Sequence, residues 1–299
     1  MKILMPKFYL LFNPKSGIHR TQTFLDRTLK IFRDNDVETK VVHTEFPRHA
    51  FELAKTLDFD GFDGLCALGG DGTMHEMVNG LLCREDGQEI PLGILPAGTG
   101  NSYLYDRDML DLEVVTQKIA QNQPTAIDIL EVSCATQRYF SFNIVGWGMM
   151  THGNITAEKL RWLGKRRYDV GAIWEIIKCQ SFPARVITEN GSYDYHMHFV
   201  LGANTIHTGT GMKMAPKAKM DDGLIDLLLV KAGTRAQLLK LFPRIFHGGH
   251  IHSPLVEYLQ VSSFELETEQ NMLLNLDGEI LGTSPCSVKV LPSHLSVLL

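Results

Sequence analysis

The stretch "ALGGDGTMHEMVNGL", Ala67 to Leu81, decides how this chain is read. It sets four glycines, Asp71, His75 and Glu76 between two apolar patches. Glycine lets backbone N–H groups approach a bound group closely, and a helix opening near Thr73 aims the positive end of its peptide dipoles at the same place. Two further segments, "NPKSG" (Asn13 to Gly17) and "PAGTGN" (Pro96 to Asn101), also follow apolar runs. In a parallel sheet, loops leaving the carboxyl ends of the strands share one edge, where ligands bind. Three such loops can converge on one phosphate-bearing ligand, although each alone reads equally well as a strand-to-helix turn. The pattern is neither GxGxxG nor GxxxxGK[ST], so the dinucleotide and P-loop readings lack their fingerprints.

Working outward, residues 1–130 alternate short apolar runs ("FYLLFN", "VETKVVH", "GLCAL", "PLGIL", "AIDILEV") with helical spacings such as Phe24, Leu25, Leu29 and Phe32. Strands alternating with helices predict an α/β domain with a parallel sheet covered on both faces. Over residues 131–299 the rhythm changes to strands separated by turn residues, interrupted by helical stretches near Ile155 to Lys178 and Thr234 to His247. That predicts a mainly antiparallel β-sandwich domain with helical inserts. The final "LSVLL" is short and strand-like and can return to the first domain.

Composition bounds the function. With 299 residues, 44% of them hydrophobic, the chain can bury one large or two medium cores. A formal charge of -5 gives no global field for nucleic acid. Five cysteines without a CxxC pair argue against a disulfide framework or a structural zinc site and fit a reducing, cytoplasmic setting. No run reaches the roughly 20 apolar residues of a membrane helix, so any bilayer contact is expected to be peripheral and transient.

The set "NPKSG", "GGDGTMHEMVNGL", "LGILPAGTGN", "DDGLIDL" and "NLDGE", in this order, resembles the diacylglycerol kinase and sphingosine kinase superfamily of lipid kinases. "GGDGT" alone also fits NAD kinases and phosphofructokinases, whose N-terminal domains are similar; "DDGLIDL" and "NLDGE" favour the lipid kinases. Phe142 to Gly171 is similar to the corresponding block of sphingosine and ceramide kinases. The resemblance implies ATP as phosphoryl donor, Mg2+ as cofactor and transfer to the primary hydroxyl of a diacylglycerol- or sphingolipid-type acceptor. It leaves open a kinase of a soluble substrate such as NAD, a non-catalytic lipid- or nucleotide-binding relative, and a homodimer.

Residue by residue, the resemblance places Asn13, Pro14, Lys15, Ser16 and Gly17, the pair Thr44 and Glu45, Gly69, Gly70, Gly72, Thr73 and Thr99 at the nucleotide. Arg161 and Arg167 match arginines that reach its phosphates, a role suited to planar, permanently charged donors. Asp222, with the backbone carbonyls of Lys219 and Leu224, matches a structural magnesium position. Phosphoryl transfer also needs a group to accept the hydroxyl proton. Sphingosine kinases assign that role to the aspartate matching Asp71, and bacterial diacylglycerol kinases to the glutamate matching Glu279. The reading adopted takes Asp71 as base, with Asp277 and Glu279 at the magnesium-nucleotide end. His75 reads as structural. Where sphingosine kinases pair an aspartate with the sphingoid amine, this chain has Asn154, with His152 at the neighbouring acidic position. A neutral amide cannot supply that ion pair, which shifts the expected acceptor towards a neutral lipid.

Overall fold

A computed structural model describes residues 5–13, 21–98, 100–135, 137–160, 162, 164, 167–209 and 211–299. The chain forms two compact units: Met1–Ile127 with Ser293–Leu299, and Asp128–Pro292.

The first unit runs β1 (Lys7–Phe12), α1 (Thr21–Asp34), β2 (Glu38–His43), α2 (His49–Thr56), β3 (Gly64–Gly69), α3 (Asp71–Leu82), β4 (Leu92–Pro96), α4 (Ser102–Asp106) and α5 (Leu112–Ala120). Its strands pair in parallel in the order β2–β1–β3–β4, with Phe8 opposite Gly64 and Leu65 opposite Leu92. Residues Phe8 to Phe12 and every residue of β3 are buried, as continuous apolar runs covered on both faces must be. The carboxyl ends of β1, β3 and β4 therefore lie at the same sheet edge; of the segment Asn13 to Gly17 that follows β1, only Asn13 is among the described residues.

The second unit contains β5 (Thr125–Cys134, entering from the first unit), β6 (Gln137–Ser141), β7 (Ile144–Gly148), α6 (Met149–Lys159), α7 (Arg167–Lys178), β8 (Phe182–Thr188), β9 (Gly191–Ala203), β10 (Ile225–Lys231), α8 (Arg235–Ile245), β11 (Val256–Val261), β12 (Ser263–Thr268), β13 (Leu273–Leu276), β14 (Glu279–Thr283) and β15 (Cys286–Val297). The single helical stretch expected over Ile155 to Lys178 is thus two helices. Pairing here is antiparallel, along β14–β13–β7–β9–β8–β12–β15, with β10 against β9 and β11. Alternate residues of β9 and β10 feed two cores: Val200, Leu227 and Leu229 join Trp147 and Phe264, whereas Phe199, Leu201, Leu228 and Val230 join Met214, Leu241 and Ile245. A strand buried on both faces explains why "LIDLLLVK" shows no polar alternation. The last residues of β15 run back to the first unit, where Val297 pairs in parallel with Leu92 and the Leu298 N–H donates to the Leu92 carbonyl (2.8 Å).

Candidate active site

In the first unit, the glycines serve the loops before they serve any ligand. A Cβ on Gly70 would lie 2.4 Å from the Gly100 carbonyl oxygen and 3.0 Å from the Gly98 Cα; one on Gly98 would lie 2.6 Å from the Gly70 Cα. The Gly69 carbonyl accepts the N–H groups of Ala97 and Gly98 (both 2.9 Å), and Asp71 donates its N–H to Gly100 (3.0 Å). The loops after β3 and β4 thus pack backbone to backbone, a separation that only glycine permits. Asp71 opens α3, and its Oδ2 accepts the N–H of Ser102 at the start of α4 (2.9 Å). The carboxylate is consequently held at a fixed point of the carboxyl edge.

Beside this knot lies a cavity of about 260 Å³, lined by Phe12, Asn13, Thr44, Glu45, Phe46, Pro47, Ala50, Leu68, Thr73 and Glu76 among others. Its volume falls just under the roughly 300–1,000 Å³ usual for small-molecule sites. Of the residues expected at a nucleotide, Asn13, Thr44, Glu45 and Thr73 share this cavity. Gly69 admits Thr73, since a Cβ there would meet the Thr73 side chain at 2.6 Å. Gly72 is the second residue of α3. Pro14, Lys15, Ser16, Gly17, Thr99 and Arg161 lie outside the described residues.

Glu76 was not among the expected site residues. Its two oxygens accept the N–H groups of Arg48 (3.0 Å) and Ala50 (3.2 Å), capping α2, while its side chain lines the cavity. Its place in the first turns of α3, facing the entry of α2, is a tertiary fact that spacing does not carry. His75 is buried beside Asn79, as a structural residue should be.

In the second unit, "NLDGE" is the tip of the β13–β14 hairpin. Asp277 (φ 56°) and Gly278 (φ 100°) form a two-residue turn in the left-handed region, the signature of an Asp-Gly hairpin loop. The Asp277 carboxylate is buried and accepts from Ser141 Oγ (2.5 Å) and from the N–H groups of Phe142 (3.2 Å), Asn143 (2.9 Å) and Ile144 (3.0 Å). Four donors compensate the burial of one charge. The carboxylate thereby clasps the β6–β7 turn. Glu279, two residues on, is exposed.

Asn154 of α6 is also committed to this hairpin. Its Nδ2 donates to the Gly278 carbonyl, and Asn275 Oδ1 accepts the Gly278 N–H (2.9 Å). An aspartate at 154 would present an acceptor to that carbonyl, so the amide answers a local hydrogen-bonding demand. His152 packs edge-on against Phe182 at 5.7 Å. Arg167 pairs with Glu158 at 3.2 Å.

The "DDGL" loop carries Asp222, whose Oδ1 accepts the Leu224 N–H (3.1 Å), and Gly223 at φ 71°. Asp128, buried in β5, holds the loop by accepting the Gly223 N–H (2.7 Å) and donating its own N–H to the Met220 carbonyl (2.6 Å). A lone acid inside the apolar "AIDIL" is the signal that could have found it, because a buried carboxylate demands partners. Nearby, burial pushes the Asp226 carboxyl up to about 6, against the hydrogen bonds from Tyr258 and Gln260 and with the Asp222 charge adding to the rise. Among the described residues no three His, Cys, Asp or Glu side chains cluster as a metal site. One carboxylate with backbone carbonyls at Lys219 and Leu224 is a hard oxygen set, which fits a magnesium ion that keeps most of its waters and fits no softer metal.

Comparison with known proteins agrees with this architecture. The diacylglycerol kinase catalytic domain matches residues 7–132, and the YegS C-terminal NAD kinase beta sandwich-like domain matches residues 143–299. The chain is similar to sphingosine kinase 1 of Arabidopsis thaliana, 26% identical over 97% of this chain and 72% of that protein. It is also similar to the diacylglycerol kinase of Bacillus subtilis, 25% identical over 99% of this chain and 97% of that one. Among solved structures, a diacylglycerol kinase from Bacillus anthracis superposes with a TM-score of 0.76 at 20% identity, covering 99% of this chain and 98% of that one. An NAD kinase from Archaeoglobus fulgidus in complex with ATP superposes with a TM-score of 0.54 at 12% identity, over 98% and 93%.

Proposed function

Because this chain belongs to the lipid kinase family built from a diacylglycerol kinase catalytic domain and a YegS-type C-terminal domain, we propose that it transfers the γ-phosphate of ATP to the primary hydroxyl of a neutral lipid of the diacylglycerol or ceramide type. The cavity shared by Asn13, Thr44, Glu45 and Thr73 supports a nucleotide on the first unit. The turn Gly69, Gly70 and Gly72 at the start of α3 is where its phosphates would lie, next to the positive end of that helix.

Phosphoryl transfer asks the protein mainly for positioning and charge neutralisation. Asp71, oriented by the Ser102 N–H, accepts the proton of the attacking hydroxyl. Glu279 lies beside the Asp277–Gly278 turn, and the clasp on Asp277 together with the Asn154 bond to Gly278 fixes where that turn stands. Asp222, with the Lys219 and Leu224 carbonyls, would hold a structural magnesium ion in the second unit, which would brace the loop that carries it. A neutral acceptor is favoured because Asn154 is an amide engaged by Gly278 and carries no charge for an ammonium group.

The carrying observation is the convergence of four expected nucleotide residues on one cavity beside Asp71. The test offers labelled ATP to the purified protein with diacylglycerol, ceramide, sphingosine and NAD. Transfer to diacylglycerol or ceramide is expected, and preferred transfer to sphingosine or NAD overturns the acceptor assignment. Asp71→Asn should abolish turnover, by at least about 10²-fold for loss of a general base, while leaving the melting temperature unchanged. Near-normal turnover in that variant removes Asp71 as base.

A further inference from the structure

Two of the three groups that fit a magnesium ion, the Lys219 and Leu224 carbonyls, belong to the backbone of one loop, and the third is the Asp222 carboxylate between them. A side chain can reach a metal by changing rotamer, whereas a carbonyl moves only with its chain. Magnesium asks for near-ideal octahedral geometry at about 2.0–2.1 Å, so it discriminates against small displacements. Whatever fixes the two ends of the loop therefore sets how well it binds the ion. Asp128 holds the middle, through Met220 and Gly223.

A single hydroxyl holds both ends. On the paired strands β10 and β11, Asp226 stands opposite Gln260 and Leu228 opposite Tyr258, so Tyr258 and Asp226 are diagonal neighbours on one face. The Tyr258 O–H donates to Asp226 Oδ1 and accepts the Lys217 N–H (3.2 Å). Lys217 precedes Lys219 by two residues and Asp226 follows Leu224 by two, so the contact closes the chain around the metal-binding groups. Asp226 is fully buried, and its other oxygen faces Gln260 Nε2 at 3.5 Å, beyond the usual hydrogen-bond range. A buried carboxylate demands a donor, which keeps the hydroxyl in place. The Tyr258 ring has separate contacts: it packs against the core of Phe199, Leu228 and Val230, and Lys217 Nζ lies 5.5 Å from its centroid. Phenylalanine would keep both. Only the hydroxyl spans the loop.

We propose that Tyr258 is a positioning residue for this loop: its hydroxyl sets the spacing of the Lys219 and Leu224 carbonyls, and through it the affinity for magnesium. The role rests on the magnesium reading of Asp222 proposed above, and the test separates the two. Magnesium is titrated into the full chain without nucleotide or lipid, and binding is read from the rise in melting temperature, which follows occupancy of the folded state. Tyr258→Phe should need at least about 10-fold more magnesium for the same rise, the usual loss when a group behind the ligands is removed. Calcium accepts longer and less regular coordination, so its binding should weaken less. Asp226→Asn and the double variant Asp226→Asn with Tyr258→Phe carry the same charge, and the same loss should separate them. That pair also decides the matter if Tyr258→Phe alone, with its stranded carboxylate, fails to fold. A Tyr258→Phe midpoint equal to wild type, or no difference within the Asp226→Asn pair, overturns the role of Tyr258 and leaves the magnesium reading standing. Equal losses for magnesium and calcium also overturn it, because they would mark a general loosening of the second unit. A wild type that ignores magnesium overturns the magnesium reading and the role of Tyr258 with it. Turnover is not measured, so a failure to phosphorylate any lipid leaves the result unaffected.

Discussion

At the scale of single residues, two carboxylates of one motif part company. Asp277 and Glu279 sit two positions apart in "NLDGE", yet the first is buried under four donors and the second is exposed. Asp277→Ala would leave the N–H groups of Phe142, Asn143 and Ile144 without that acceptor, while Ser141 Oγ keeps the Ile144 carbonyl (2.8 Å). At about 1–3 kcal/mol for each buried unsatisfied group, only partly relieved by water, a loss of at least about 3 kcal/mol is expected. Glu279→Gln removes a solvated charge and should leave stability within about 0.5 kcal/mol while lowering turnover. Urea unfolding alongside a kinase assay separates the two; equal destabilisation by both would refute the clasp. The Asp-Gly turn was legible in the sequence, since that pair between apolar runs is a strong hairpin signal. Its partner was not, because Ser141 lies 136 residues earlier and no local pattern encodes that contact.

At the scale of elements, glycines that look alike carry opposite consequences. Gly80 stands inside α3, where Ala would ordinarily gain about 1 kcal/mol. Here its Cβ would meet the Phe51 carbonyl oxygen of α2 at 2.4 Å and the Ala54 Cβ at 2.7 Å. Overpacking against a backbone costs about 1–3 kcal/mol, so Gly80→Ala should lower stability on balance. Gly153 in α6 has its nearest neighbour, Glu175 Cγ, at 4.0 Å, and Gly153→Ala should stabilise by up to about 1 kcal/mol. A rise in melting temperature for both variants would show that helix propensity, not helix packing, decides. The alternation of strands and helices, and hence the parallel sheet and its ligand-bearing edge, could be read from apolar spacing because period 2 and period 3.6 are local. The outward stripe of α7, Val170, Ile173, Trp174 and Ile177 at i, i+3, i+4 and i+7, could not. Its spacing reads as core, and only the fold says which face has a partner. Glu76 is the same lesson at the site, since the helix start it caps belongs to another element.

At the scale of the molecule, two compact units within one chain make stability a property of each, so a single transition is not assured. His250 offers a way to address one of them. It is 1% exposed, in the short helical turn Gly249–His252 of the second unit, with Nε2 against the Met214 carbonyl at 2.9 Å. Burial holds its imidazole below the ordinary value of 6.5, overcoming the Met214 and Arg244 backbones, and His247 and His252 on the same stretch act in the same sense as burial. The unfolded chain takes up a proton at this residue below 6.5, whereas the folded unit resists it. Stability that is fully present above 6.5 should therefore fall as the pH drops through and below that value, by at most about 1.4 kcal/mol per pH unit for one proton. His250→Asn keeps a donor for Met214 and removes the titration, so its unfolding free energy should decline less steeply than wild type between pH 6.5 and 5. The two proteins share every other histidine of the chain's twelve, so the difference between the two slopes isolates His250. If unfolding proceeds in two steps, the difference should appear in the step of residues 128–292 and be absent from the other. Parallel slopes would mean that His250 reaches water in the native state and that its burial does not govern its charge.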